Sequence, residues 1–440
     1  VTSDGEQQAP SMRDGPVGSV HSDVVSVHPE IKLVNAKTET SLIRYAEPLS
    51  TVTWAMGIEE YPVTHFAQAW KLLFQSHVHD SIHGLGPREL GEGVVARIRH
   101  AGHIADAVQR RALTHLTKEI DTGSTDDAEA FLAVHNTAAF PRSEVVEAWV
   151  DVPAEIALDS LTIEDTDGRA CEMQEIRREQ TRAGIYHPRS RNMPFYCTRV
   201  QLLFQADDIP AMGYRTFKLK WTAKRDYPYP HEDFDPPPII ENDLLAGPRH
   251  ARNEHLALHV NDDGTFDLTD RVTGRTHAGL NYFEDQGDCG NMWVAVPPGD
   301  DVIIDSRTGS ADVRCVRHGP LEVAFEIRKT MHVPGRYDFA AQRRTDQTAA
   351  IDLLVRVSLR KGSRRVEVTA TVDNGARDHF LRACFPAGFR AERTCADGSF
   401  AVIDYPTEPD LTRELARHPV QLWCDLHEGD RGLALLSRWT

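Results

Sequence analysis

Seven apolar residues, Val94, Ile98, Ala101, Ala105, Val108, Ala112 and Leu116, recur at steps of three and four without a break. That spacing lines one face of an α-helix and fits no strand, whose side chains alternate every second residue. The chain therefore holds a long helix here that must lay this stripe against something apolar. Pro87 suits its first turn, and the pattern fades near Ile120. Two helical segments precede it. Leu42, Tyr45, Ala46, Leu49, Val52 and Met56 define one apolar face, and Pro48 inside that pattern predicts a kink or a late start. A second helix is expected from Thr64, an N-cap after Tyr61-Pro62, to a stop at Gly84, with Phe66, Trp70, Leu73 and His77 along one face. Consecutive helices with short connections predict an antiparallel three-helix bundle over residues 31–122. Residues 1–30, rich in Gly, Ser, Asp and Pro, read as a poorly ordered lead-in.

After Asp121 the period changes from helical to alternating. Val145–Val152, Leu202-Leu-Phe and Tyr214–Trp221 read as strands of a small β-sandwich over residues 128–224. The stretch YPYPHEDFDPPP, Tyr227 to Pro238, reads as a linker. Beyond it, Thr265–Asp270, Leu321–Val333, Ile351–Leu359 and Arg365–Val372 alternate, divided by turns at Thr273-Gly274 and Lys361-Gly-Ser. No crossover helix interrupts them, which predicts a large β-sandwich over residues 239–440. The expected class is α+β and multidomain.

Charge narrows the partners. There are 66 acidic against 49 basic residues, a net −17, so phosphate backbones and anionic membranes are repelled and neither nucleic acid nor membrane is expected as a partner. Neutral substrates such as sugars remain open. No apolar run reaches the roughly 18 to 20 residues of a membrane span. The first twenty residues hold no apolar core segment, so no signal peptide is read, and a cytoplasmic location is expected. Seven dispersed cysteines without CxxC spacing agree with reduced thiols there.

Chemistry concentrates in WKLLFQSHVHDSIHG, Trp70 to Gly84. His79 and His83 stand at i and i+4, so on a helix they face one way and could share a metal; Asp80 and His83 are neighbours at i and i+3. In a chain with 21 histidines such a cluster also arises incidentally, and His77, on the face of Phe66, Trp70 and Leu73, reads as a packed residue. His21-Ser-Asp23 has a His-x-Asp spacing but no strand context, so it is not read as a metal pair.

The stretch resembles the motif of glycoside hydrolase family 38, in which a tryptophan-led helix ends in His-Asp, an apolar residue and glycine. Four further segments resemble that family in the same order: Lys32 to Ser50 (KLVNAKTETSLIRYAEPLS), Val134 to Val146 (VHNTAAFPRSEVV), Phe283 to Pro298 (FEDQGDCGNMWVAVPP) and Asp373 to Phe389 (DNGARDHFLRACFPAGF). Phe380 stands where the family has arginine. The last two are similar to segments of bacterial members.

The resemblance implies a retaining, Zn2+-dependent α-mannosidase acting on terminal α-mannosides, of glycans or of small molecules such as mannosylglycerate. It implies that His79 is a zinc ligand, that Asp80 contacts mannose hydroxyls, and that His83 is no ligand. It also implies a mutarotase-like supersandwich for the C-terminal region, shortened here. The family's other zinc ligands and its nucleophilic aspartate lie on an N-terminal domain that is not recognisable in this sequence. A retaining glycosidase needs two carboxyl groups about 5 to 5.5 Å apart, so the chain alone is expected to be incomplete and inactive. The missing catalytic domain, from the same gene or a separate chain, is then its expected partner, and the apolar surface left uncovered favours homo-oligomers. The alternative is a carbohydrate-binding or structural β-sandwich module, with Trp293 and nearby acids serving a sugar or merely closing a sheet edge. A metal-sensing role rests on the histidines alone.

Overall fold

The computed structural model describes residues 22–122, 130–154, 156–185, 193–223, 244–398, 401–408, 418 and 420–437. The long helix, α5, spans Arg88–Lys118 and buries all seven residues of the stripe. Pro87 serves as its N-cap. Before it come α1 (Pro29–Thr40), α2 (Glu47–Ala55), α3 (Val63–Ser76) and the single turn α4 (His79–His83). Ile31, Leu42 and Ala46 of the first segment and Phe66, Ala69 and Leu73 of α3 close on Val94, Ile98, Ala101 and Ala105 of α5 as one core. Fully burying a side chain of leucine or isoleucine size stabilises by about 1.5–3 kcal/mol, and those contacts, rather than capping, hold the helices together.

Three expectations are corrected here. The first helical segment does not start late on account of Pro48: it begins at Pro29 and runs on through a π-helical turn, Ser41–Ala46, into α2. Pro48 lacks an N–H and crowds the carbonyl four residues back; the wider turn just before it relieves both problems. The turn shifts the helical phase, so Leu42, Ala46 and Leu49 are buried while Tyr45 and Met56 are exposed. Thr64 is not the N-cap of α3, which begins one residue earlier with Pro62 as its cap. Nor are residues 22–30 a loose lead-in. Ser22–Val25 form a 3-10 turn, and α1 follows directly on His28. The remainder of the lead-in, with His21 and the proline-rich stretch 227–238, lies outside the described residues.

The rest of the chain is antiparallel sheet. Residues 130–223 form two three-stranded sheets, one ordered Ala130–Asn136, Gly213–Ala223, Ile156–Asp165, the other Arg142–Pro153, Met193–Ile209, Met173–Ile185. Val150, Val152, Ile163, Val200, Phe204, Phe217 and Leu219 fill the space between them. Beyond residue 244, the strand Thr348–Arg360 runs centrally between Glu322–Pro334 and Val366–Asn374. Its Ile351, Leu353, Val355, Val357 and Leu359 point to one face and are buried. They meet Leu258, Val260 and Phe266 of a five-stranded sheet in the largest core. Among the described residues no helix is long and apolar enough to cross a membrane.

A buried glutamine ties the two sheet regions together, and the Lys361–Glu172 ion pair joins them as well. Gln174 is buried, and its Oε1 accepts the amides of Leu321 (2.9 Å) and Glu322 (2.8 Å) while Nε2 donates to the Glu322 carbonyl (3.1 Å). Val145, Leu203 and Leu321 pack around this contact.

Candidate functional site

Helix α3 ends where the chemistry begins. The His77 amide closes the last turn on the Leu73 carbonyl, and Val78 then turns extended (φ −53°, ψ 133°). The chain coils once more as α4 and stops at Gly84, which has φ +79°. A side chain at Gly84 would be strained by that conformation, and its Cβ would lie 2.8 Å from the His28 ring. His79 and Asp80 therefore sit on a separate turn, not on the tryptophan-bearing helix the periodicity predicted.

That turn is held from behind and open in front. The Lys32 amino group donates to the His83 carbonyl at 3.0 Å and to the Val27 carbonyl, joining the start of α1 to the end of α4. Burial pushes this amine down from 10.5 to about 8. His77 is packed, as its position on the apolar face suggested: its Nε2 meets Asn35 Oδ1 at 2.7 Å, with Glu39 at 3.4 Å. Trp70 donates from Nε1 to Glu47 Oε1 at 2.8 Å and stacks on Phe74. In front, the side chains of His79 and Asp80 are 74% and 57% exposed, with His79 Nε2 3.5 Å from Asp80 Oδ1. The His79 and His83 rings stand edge to face, 6.4 Å between centroids.

These residues do not by themselves fit a zinc ion. A structural site needs four donors and a catalytic one three protein donors. Among the described residues no group of three or more His, Cys, Asp or Glu side chains could hold a metal. Asp23, from the His-x-Asp spacing, binds a backbone amide, Ala295 N–H, at 3.0 Å.

The two segments from the C-terminal region come together in a second buried network. The strand Tyr282–Gly287 pairs with His379–Cys384, setting Gly287 opposite His379 and Gln286 opposite Phe380. Asp285, with no exposed side-chain surface, faces His379 Nδ1 and Arg344 Nη2, each at 2.5 Å. Asn374 fixes the tautomer. Its Oδ1 accepts the Ala376 amide, so its Nδ2 donates to His379 Nε2 (3.0 Å) and His379 Nδ1–H donates to Asp285. Asp301 accepts the Gly287 amide at 2.6 Å and lies 3.6 Å from Arg344. Sequence reasoning quoted the motifs of Asp285 and His379 but missed Arg344 and Asp301. Arg344 sits 59 positions from Asp285, beyond any local spacing rule. It missed Lys32 as a brace for the same reason.

Comparisons place this architecture. Residues 251–440 match the model described as Glycosyl hydrolases family 38 C-terminal domain. A relative from Halalkalibacterium halodurans, named "Putative mannosylglycerate hydrolase", is 22% identical over 93% of this chain and 48% of its own length. An alpha-mannosidase structure from Enterococcus faecalis superposes with a TM-score of 0.81 at 22% identity, covering 94% of this chain and 49% of that one. A second structure from Enterococcus faecalis, described as a protein in the Glycosyl Hydrolase Family 38, gives 0.80 at 23% identity, covering 96% and 52%. The chain thus spans about half the length of the relatives it matches, with the mixed helical and mostly-sheet fold of those structures. By sequence match and by fold, it is a glycoside hydrolase family 38-like protein.

Proposed function

We propose that this chain contributes one side of the sugar site of a retaining, zinc-dependent α-mannosidase acting on terminal α-mannosides. The observation that carries the reading is the His79–Asp80 turn: two exposed donors on a turn braced by Lys32 and closed by Gly84. Asp80, with two acceptor oxygens, would take hydrogen bonds from adjacent sugar hydroxyls. His79 would give one ligand; the other zinc donors and the nucleophile come from outside the described residues, and no step is derived through the metal. On this reading the chain alone does not turn over substrate. The relative named for mannosylglycerate supports small mannosides among the substrates.

The division into a three-helix bundle, a small sandwich and a larger mutarotase-like one belongs to the same proposal. So does a partner: a groove of about 570 Å³ lined by Ala67, Trp70, Lys71, Phe74, Gln75 and Val78 adjoins His79 and would receive the remaining catalytic unit or, without it, a second copy. All seven cysteines are free, which supports a reducing, cytoplasmic setting.

The test is a histidine- and methyl-resolved NMR titration with methyl α-mannoside. Shifts at His79 and Ile82 that vanish in Asp80→Asn are expected, with no response to the C2-epimeric glucoside. A mannoside that moves no signal between residues 77 and 84 would sink the reading.

A further inference from the structure

The segment that carries His79 and Asp80 is gripped at both ends by one helix. Lys32, Asn35 and Glu39 recur along α1 at steps of three and four, so they project from one face. Lys32 reaches the far end of the segment, where its amino group donates to the His83 carbonyl at 3.0 Å. Asn35 and Glu39 reach the near end, where His77 Nε2 lies 2.7 Å from Asn35 Oδ1 and 3.4 Å from Glu39 Oε1. An ionised carboxylate only accepts, so Nε2 carries the proton and Asn35 turns its oxygen toward it. The His77 amide closes α3 on the Leu73 carbonyl, and the Val78 carbonyl then opens the next turn by accepting the Ser81 and Ile82 amides at 2.8 and 3.0 Å. The side chain that α1 holds therefore belongs to the joint between α3 and the turn.

Helix α1 is a firm reference for that grip. Ile31, in its first turn, is fully buried in the helical core. Thr38, near its last turn, is buried too, and its Oγ1 donates to the Ile98 carbonyl of α5 at 3.4 Å. Gly102 of α5 makes room for this contact, since a Cβ there would lie 3.0 Å from Thr38 Oγ1. The His79–His83 turn has no such footing of its own. None of its five residues is buried, and only Ile82 packs on the helical core. A turn with so little apolar contact does not take its direction from packing; the two polar anchors from α1 supply it.

We propose that Asn35 and His77 are positioning residues of the sugar site: their bond fixes the joint ahead of His79 and, with Lys32 at the far end, lets α1 set the direction in which Asp80 presents its carboxylate. The proposal rests on the α-mannoside reading above and adds which residues hold the sugar contact in place. Both act through the backbone of the turn, not by touching the sugar.

NMR titration of the 440-residue chain with methyl α-mannoside, followed at the Ile82 methyl signal, tests this alongside the thermal midpoint of each variant. Asn35→Leu removes the acceptor and should weaken the sugar about fivefold; His77→Phe, which keeps a ring but no donor, should do the same. Asn35→Asp keeps the oxygen and His77→Gln keeps a donor nitrogen, and each should stay within about twofold of wild type. The double variant Asn35→Leu/His77→Phe should lose no more than either single one, because both remove one bond. Glu47→Ala breaks the bond to Trp70 elsewhere in the same bundle; it should lower the thermal midpoint and leave affinity within about twofold. Unchanged affinity in Asn35→Leu and His77→Phe, no recovery in the conservative variants, or an equal loss in Glu47→Ala overturns the clamp. Asp80→Asn separates the two readings. If it abolishes binding while the Asn35 and His77 variants leave it unchanged, the α-mannoside reading stands and the clamp alone fails. If the wild type binds no mannoside, or Asp80→Asn changes nothing, both fail.

Discussion

Replacing Asp285 by alanine would strip two buried partners at once. Its carboxylate has no solvent exposure and faces His379 Nδ1 and Arg344 Nη2, each at 2.5 Å. The Arg344 side chain is only 8% exposed, and its other acid, Asp301, is 3.6 Å away. Nε and Nη1 of Arg344 already have no hydrogen-bond partner among the described residues. A guanidinium left there keeps its desolvation cost and loses its main counter-charge. Removing one member of a buried ion pair costs about 3–5 kcal/mol. The value here should be about 4 kcal/mol, because His379 Nδ1–H loses its acceptor as well. The chain contains several cores, so a single global unfolding free energy is not defined. Hydrogen exchange resolved by peptide is the suitable assay, with the loss confined to 282–305 and 376–384. The double variant Asp285→Ala/Arg344→Met should recover about half of the loss or more, since the stranded charge is gone. Protection falling by less than about 1 kcal/mol in the single variant, or strictly additive effects in the pair, would refute the reasoning.

Two further predictions concern the His79 turn. Lys32 has a folded value of about 8 against 10.5, so between those pH values the unfolded chain binds a proton that the folded chain has released. Its contribution to stability is lowest below that window and rises with pH across it. In urea melts followed by the helical circular dichroism signal, the advantage of wild type over Lys32→Met should therefore grow from about pH 7.5 to about pH 10; a constant or shrinking difference rules this out. Gly84→Ala should cost about 1–3 kcal/mol from its positive φ and its collision with the His28 ring. The readout is the thermal midpoint of the helical circular dichroism signal, and an alanine variant as stable as wild type contradicts the packing described.

Sequence periodicity was most informative where one rule acted alone. The α5 stripe is legible because a helix face repeats regardless of its partners, and every residue in it is buried. The strand Thr348–Arg360 was legible for the same reason, its inward positions alternating without a bulge. Features fixed by distant contacts were not. No glycine or proline marks the break at Val78; the His77 side chain just before it is tied to Asn35. The order at Ser22–Val25 accompanies Asp23 bonding to Ala295, which no composition measure can anticipate. At the candidate site, His79 and Asp80 stood out by their clustering and by resemblance. Lys32 headed a segment quoted for its resemblance, but its role as a brace was not legible, since it bonds the His83 carbonyl 51 positions away. Arg344 and Asp301 were silent because both lie outside the motifs and reach Asp285 only through the fold.

Gln174 has a mechanical consequence. Its amide group reads three backbone groups of the neighbouring sheet region in one register, so a slide of a single residue along the Leu321–Glu322 backbone would break all three bonds. Shear between the two sheet regions is thereby opposed at small displacement, where apolar packing alone would permit gradual slippage. The smaller pair of sheets can then act as a gauge block of fixed thickness against the larger. Such a spacer transmits position rather than motion, so a load applied at one sheet region is felt at the other as a rigid displacement.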